Sequence, residues 1–195
     1  MQPNELILAS ASPRRKLLLS QMGLQFSVQL SSAEENDSPD LDPVDLVMDN
    51  AEIKAESVAI DFPHALVIGS DTTVSLNGKI FAKPQDRSEA TQMLMELSGQ
   101  WHSVYTAIAL HWRGGSFKKS TYAVSQVQFK VLSLEEIEAY HEIVNPMDKA
   151  GAYGIQEASE RIVRAVRGSK HTIMGLPTDL LALELDKYGF KAFYQ

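Results

Sequence analysis

Three kinds of side chain in this 195-residue chain fall where chemistry would need them. Two acids, Glu35 and Asp71, stand just beyond apolar stretches that read as strands. Five cations, Arg14, Arg15, Lys54, Lys83 and Lys149, and three hydroxyls, Ser10, Ser12 and Thr72, accompany them. Carboxylates of this kind can hold a hard divalent ion such as Mg²⁺, which keeps several waters and bridges phosphate oxygens. Lysines and arginines neutralise developing charge, and one carboxylate can orient or deprotonate an attacking water. The inventory therefore suits metal-assisted phosphoryl chemistry. Each residue also has a plainer reading. Lys54 alone could be a snorkelling surface lysine, and Asp71 could cap a neighbouring backbone, although the four apolar residues before it favour a metal or a proton.

The cations nearest the start are the least expected. Leu6 to Ala9 form a short buried strand, and Ser12-Pro13 opens a helix with Ser at N-cap and Pro at N1. A helix N-terminus carries about +0.5 of partial charge and prefers acids in its first turn. Here Arg14, Arg15 and Lys16 occupy it. They either point into solvent or converge with the terminal N–H groups on an anion such as a phosphate chain.

The remaining elements follow from pattern. Gly23 ends the first helix, and Leu24, Phe26, Val28 and Leu30 alternate as a half-buried strand. Residues 31–42 form an acidic, Ser-rich loop containing Glu34, Glu35, Asp37 and Asp40, mostly solvated. Asp42-Pro43 starts a helix to about Ile60, with Lys54 near the edge of its apolar face. Residues 65–69 form a second buried strand that delivers Ser70, Asp71 and Thr72 at its end. Val74 and Leu76 continue to the Asn77-Gly78 turn, whose hairpin brings Lys83 near Asp71. Asp86 with Glu89, and Ser133 with Glu136, form capping boxes for two further helices. Between them, strands at 101–112 and 117–131 pair antiparallel. Residues 148–156 form a glycine-containing loop, strands follow at 161–166 and around 171–174, and an amphipathic helix closes the chain after Pro177.

Composition narrows the classes. The length suits one domain over residues 1–195 with a substantial core, and 44% hydrophobic with 22% charged residues is ordinary for a globular protein. With no Cys, disulfides and thiolate metal sites are excluded. A net charge of −7 argues against nucleic acid as a partner. No apolar run is long enough to span a bilayer, and no signal-peptide layout opens the chain, so the expectation is a cytoplasmic protein without a membrane partner. The five histidines show no paired metal-ligand spacing, and neither a Walker A loop, a Gly-x-Gly-x-x-Gly nor a Gly-x-Ser-x-Gly elbow occurs.

Taken together, these residues resemble the Maf (septum-formation-inhibitor-like) nucleoside triphosphate pyrophosphatases along nearly the whole chain. The resemblance runs through Ser10-Ala11-Ser12-Pro13-Arg14-Arg15, Glu35, Lys54-Ala55, Gly69-Ser70-Asp71-Thr72 and Lys83-Pro84. It continues with Leu97-Ser98-Gly99, Asp148-Lys149-Ala150-Gly151-Ala152-Tyr153-Gly154-Ile155-Gln156 and Gly175-Leu176-Pro177. It implies an α/β fold: a two-lobed mixed sheet flanked by helices with a central cleft, like that of the Maf and inosine triphosphatase proteins. It implies hydrolysis of a nucleoside triphosphate substrate to monophosphate and pyrophosphate, a divalent metal cation (Mg or Mn), a cytoplasmic location and a homodimer. Asp71 falls at the family's proton acceptor. Ser10, Arg14 or Arg15, Glu35, Lys54 and Lys83 fall at its phosphate- and metal-handling positions, with the metal expected near Glu35 and Asp71.

Arg14, Thr72 and Gln156 look like the branch acting on dTTP and UTP, which places the base near Thr72 and Gln156. Gln156 offers a donor and an acceptor, as the imide edge of thymine or uracil requires. Two departures stand out: Glu157 to Glu160 where relatives often carry a glycine-rich turn, and Asp49-Asn50 where relatives tend to be basic or apolar, read here as surface drift. Two alternatives stay open: a pyrophosphatase for another nucleotide such as 7-methyl-GTP, and a non-catalytic nucleotide-binding regulator of cell division.

Overall fold

A computed structural model describes residues 2–36, 38 and 41–193. The predicted Asp37 and Asp40 of the acidic loop lie outside these residues. The chain runs β1 (Glu5–Leu8), α1 (Pro13–Gln21), β2 (Ser27–Val28), α2 (Pro43–Ala59), β3 (Ala65–Leu76), β4 (Lys79–Phe81) and α3 (Arg87–Leu97). Then follow β5 (Trp101–Trp112), β6 (Phe117–Phe129), α4 (Leu134–His141), α5 (Ser159–Ile162), β7 (Val163–Arg167), α6 (Lys170–Met174) and α7 (Thr178–Asp186). The expected mixed α/β architecture is observed. A seven-stranded sheet runs in the order β2-β1-β3-β5-β6-β7, with β4 paired to β3. β1 is parallel to β2 and β3, and the other pairs are antiparallel.

Local chemistry explains the helix starts. Ser12 and Asp42 cap α1 and α2 with Pro at the first position, and Ser133 with Glu136 completes a capping box on α4. At α3, Asp86 accepts from the Glu89 N–H as expected, but the Glu89 carboxylate accepts from the Gln85 N–H, one residue before the cap.

Several elements differ from the sequence expectation. The strand expected through residues 24–30 is confined to Ser27–Val28, because its partner β1 is only four residues long. The strand expected from 161 begins at Val163, after the single helical turn of α5. Around 171–174 the chain is helical, since Gly168 turns it with φ +97° and Ser169 caps the Lys170–Met174 helix. Asp71 does not end a strand. Pairing with β5 is unbroken from Val67 to Ser75, which keeps β3 extended through it.

The core falls into three clusters on this frame. On one face of the sheet, Leu66 and Ile68 of β3 join Ile108 and Leu110 of β5 beneath α1 and α7. Further along the same face, Val74 and Val104 join α3 and α4. The opposite face packs Val67, Ala107 and Ala109 under α2. The polar residues Ser70, Thr72 and Thr106 lie between the first two clusters, so the long central strands serve two lobes and change from apolar to polar where the lobes meet. The tail contributes as well, since Phe190 and Ala192 pack on the first cluster.

α2 lies unusually close to β3. A Cβ on Gly69 would stand 2.1 Å from the Ala51 carbonyl oxygen and 2.7 Å from the Ala55 nitrogen. Three histidines are buried: His102 and His111 on β5, and His141 on α4. His102 Nε2 lies 2.9 Å from the Tyr153 hydroxyl.

Two outcomes follow. Gly69→Ala sets a methyl against helix backbone that cannot rotate away, so unfolding midpoints should show a loss of about 3 kcal/mol, the upper end of ordinary overpacking; an unchanged midpoint would contradict the close approach. Burial pulls the His102 imidazole down to about 4. Unfolded, it protonates near 6.5. Between these values the unfolded chain binds more protons, so stability falls as pH drops through that window, by about 3 kcal/mol at most. His102→Gln should flatten this dependence by about one proton, read from denaturation at pH 4.5 to 7. His111 and His141, also lowered by burial, supply the remainder.

Candidate active site

The cleft opens beside the middle of β3. On the edge away from β5, β1 pairs with Ala65 to Ile68 and β4 with Val74 to Leu76. Among the described residues no strand pairs that edge from Gly69 to Thr73, so side chains from both faces reach one opening. A cleft of roughly 370 Å³ forms there, within the range of small-molecule sites. Ser10, Ser12, Arg14, Arg15, Glu35, Lys54, Asp71, Thr72, Lys83 and Lys149 all line it. Gln156 does not: it is exposed, and the cleft wall there is made by Gly154 and Ile155.

At the acidic end, Lys54 is 7% exposed and its ammonium is shared by two carboxylates. Nζ lies 2.7 Å from Asp71 Oδ1 and 2.8 Å from Glu35 Oε2. A lysine this buried requires such partners, so the snorkelling alternative is set aside. Burial pushes the Glu35 carboxyl up, but the Lys54 hydrogen bond and the charges of Lys54, Lys83 and Arg15 outweigh it and hold the group below its ordinary value. Asn50, one turn before Lys54 on α2, is 3% exposed rather than superficial. Its Nδ2 stands 3.4 Å from Asp71 Oδ2. It went unrecognised although its spacing from Lys54 sets both on one helix face, the signal that could have found it.

On the other side of β3, Arg15 is engaged by protein groups throughout. It donates from Nε to the Gly175 carbonyl at 2.8 Å, to Ser10 Oγ at 3.2 Å and to Thr72 Oγ1 at 3.1 Å. Burial draws its guanidinium below the ordinary value, while Asp71 and Glu35 act in the opposite sense. Thr106 donates to the Thr172 carbonyl at 2.7 Å. Its oxygen therefore accepts from Thr72 at 3.0 Å. An oriented chain thus runs from Arg15 through Thr72 and Thr106 to α6. Thr106 had no sequence signal of its own, being one polar residue in an alternating strand.

Arg14 reaches across the cleft to Asp148, with NH1 2.9 Å from Oδ2. The same carboxylate holds the buried Lys149 at 2.8 Å, and Glu157, in the segment that departs from relatives, lies 3.5 Å from that ammonium. Although burial works against it, the hydrogen bonds from Lys149 and Arg14 keep the Asp148 carboxyl below its ordinary value. The Tyr140 hydroxyl accepts from the Gly154 N–H at 3.1 Å and braces this loop. Lys83 sits past the end of β4, exposed, and makes no ion pair among the described residues. Between the two charged walls, Val74, Val104, Tyr153, Ile155, Ile173 and Met174 give the cleft an apolar surface. The arrangement can hold a polyanion at one end and a flat apolar group at the other.

This chain is similar to known proteins along nearly its whole length. The dTTP/UTP pyrophosphatase of Desulforamulus reducens is 41% identical over 184 residues, covering 94% of this chain and 96% of that one. That of Vibrio cholerae is 42% identical over 178 residues, covering 91% and 94%. Among solved structures, a HAM1 protein from Coxiella burnetii superposes with a TM-score of 0.53 at 14% identity, over 94% of this chain and 98% of that one, a likeness of fold alone. The model of the Maf-like proteins matches residues 5–188. The chain belongs to the Maf-like protein family.

Proposed function

We propose that this protein is a nucleoside triphosphate pyrophosphatase acting on dTTP and UTP, organised as one domain, cytoplasmic and homodimeric as the family resemblance implies. The observation that carries the reading is Asp71. It is a buried carboxylate in the middle of β3, where the strand turns from apolar to polar, held by Lys54 through one oxygen in an open cleft that Arg14, Arg15, Lys83 and Lys149 also line. Relatives sharing about 40% of their residues and bearing the name dTTP/UTP pyrophosphatase support it.

The roles follow from chemistry. The phosphate chain lies over the N-terminus of α1, where Ser10, Ser12 and the arginines surround it and the helix terminus favours an anion. Lys54, Lys83 and Lys149 balance charge as the α–β anhydride breaks. Asp71 takes the proton from the water that adds, and monophosphate and pyrophosphate leave. Among the described residues, no three His, Cys, Asp or Glu side chains cluster as a metal site. The pair Glu35 and Asp71 nonetheless fits Mg²⁺ or Mn²⁺, which in such sites takes one or two carboxylates and completes its shell with phosphates and waters. When bound, the ion would neutralise and orient the triphosphate. The base then rests on the apolar wall, with Thr72 beside it.

A second reading, hydrolysis of another or modified nucleotide, is favoured by one observation: Gln156 stands outside the cleft while Glu157 approaches Lys149. A panel of triphosphates including 7-methyl-GTP, with Mg²⁺ or Mn²⁺ and scored by pyrophosphate release, should rank dTTP and UTP first. Asp71→Asn should lower release from dTTP by at least about a hundredfold, the scale of a lost general base, with the unfolding transition retained. Near-normal turnover in that variant would remove the catalytic assignment. Binding without hydrolysis in the unsubstituted protein would favour a regulator.

A further inference from the structure

We infer that Asn50 is a positioning residue that clamps the Glu35 loop to α2 and aligns Glu35 with Asp71. The inference rests on the roles proposed above for those two acids. The Asn50 side chain forms a two-bond pair with the main chain of Asn36, the residue after Glu35. The Asn36 N–H donates to Oδ1 at 2.7 Å, and Nδ2 donates to the Asn36 carbonyl at 2.8 Å. The second proton of the amide points to Asp71 Oδ2 at 3.4 Å. Only one amide orientation serves all three contacts, because the reverse would set acceptor against acceptor and donor against donor.

This matters because Glu35 lies in a segment without regular structure and its side chain is 45% exposed. The ion pair to the buried Lys54 holds one carboxylate oxygen of Glu35 but does not itself fix the main chain behind it. Among the described residues, the Ser31–Ser57 hydroxyl contact at 2.8 Å, four residues before Glu35, also ties this segment to α2. Fixing the main chain next to Glu35 restricts where its carboxylate can stand. Because the same amide touches Asp71, one buried side chain ties the main chain beside Glu35 to Asp71, while Lys54 bridges the two carboxylates.

The test uses Asn50→Leu, which keeps the branched shape but has no polar atoms. Hydrogen exchange on the metal-free protein reads the clamp through the Asn36 amide, and Mg²⁺ titration of pyrophosphate release reads the alignment. Asn36 exchange should accelerate at least about tenfold, and the Mg²⁺ concentration for half-maximal release should rise about tenfold, the scale of one lost buried hydrogen bond. The fall in kcat at saturating Mg²⁺ should be smaller. If Asn50→Leu fails to unfold cooperatively, Asn36→Pro deletes the same N–H from the exposed side and should raise the Mg²⁺ requirement likewise. Asn36→Ala keeps both main-chain groups and should match the unsubstituted protein. Unchanged Asn36 exchange, or faster exchange with the Mg²⁺ requirement unaltered, would overturn the inference. Failure of the catalytic reading is seen separately, as normal turnover by Asp71→Asn, while Asn36 exchange still decides whether the clamp exists.

Discussion

The buried ammonium of Lys54 is the constraint on which the site depends. A charge this enclosed is tolerated only when paired and hydrogen-bonded, and Glu35 and Asp71 come to it from a loop and from a central strand. Two carboxylates so close would repel each other in the absence of that cation. The ammonium reaches both because α2 lies directly on β3 over Gly69, where any side chain would meet the helix backbone. Helix packing and site electrostatics are therefore one requirement.

The sheet supplies the second half of the design. β3 and β5 pass unbroken from one lobe to the other, and the face they share between the first two core clusters carries hydroxyls where the lobes meet. Buried hydroxyls there need partners. They find them in a directed chain from Arg15 through Thr72 and Thr106 to α6, while Ser70 lies within hydrogen-bond reach of the Ala107 and Gly175 carbonyls. Gly175, in the left-handed region at φ +102°, ends α6 and turns its carbonyl to Arg15. The polar seam both joins the lobes and presents Thr72 to the cleft.

Charge is local rather than global. The chain carries a net −7, yet the cleft gathers five of its cations with the acid pair, Lys54 bridging that pair directly. Two of them, Arg14 and Lys149, share the carboxylate of Asp148. That shared acid draws α1 and the 148–156 loop together across the opening, and an incoming phosphate would compete with it for the same guanidinium. Arg15, by contrast, is held by three protein oxygens and ties α1 to β3 and to the end of α6.

Much of this was legible in the residues alone. Ser12-Pro13, Asp42-Pro43 and Asn77-Gly78 mark their elements through capping and turn chemistry that depends on neighbours in the chain. The acids, cations and hydroxyls of the cleft were identifiable by type and by the motifs around them. Residues 171–174 are a helix because the adjacent Gly168 turn and Ser169 cap, both local signals, override a short apolar pattern. Tertiary structure alone decided two things. Asp71 stands in mid-strand, because β5 pairs with β3 on both sides of it. Asn50 is a buried clamp while Gln156 faces solvent. Chain neighbours set caps and turns, but whether a polar side chain is buried or solvated depends on residues far away in sequence that pack against it. That packing, at Gly69 above all, made a site of the acids and cations.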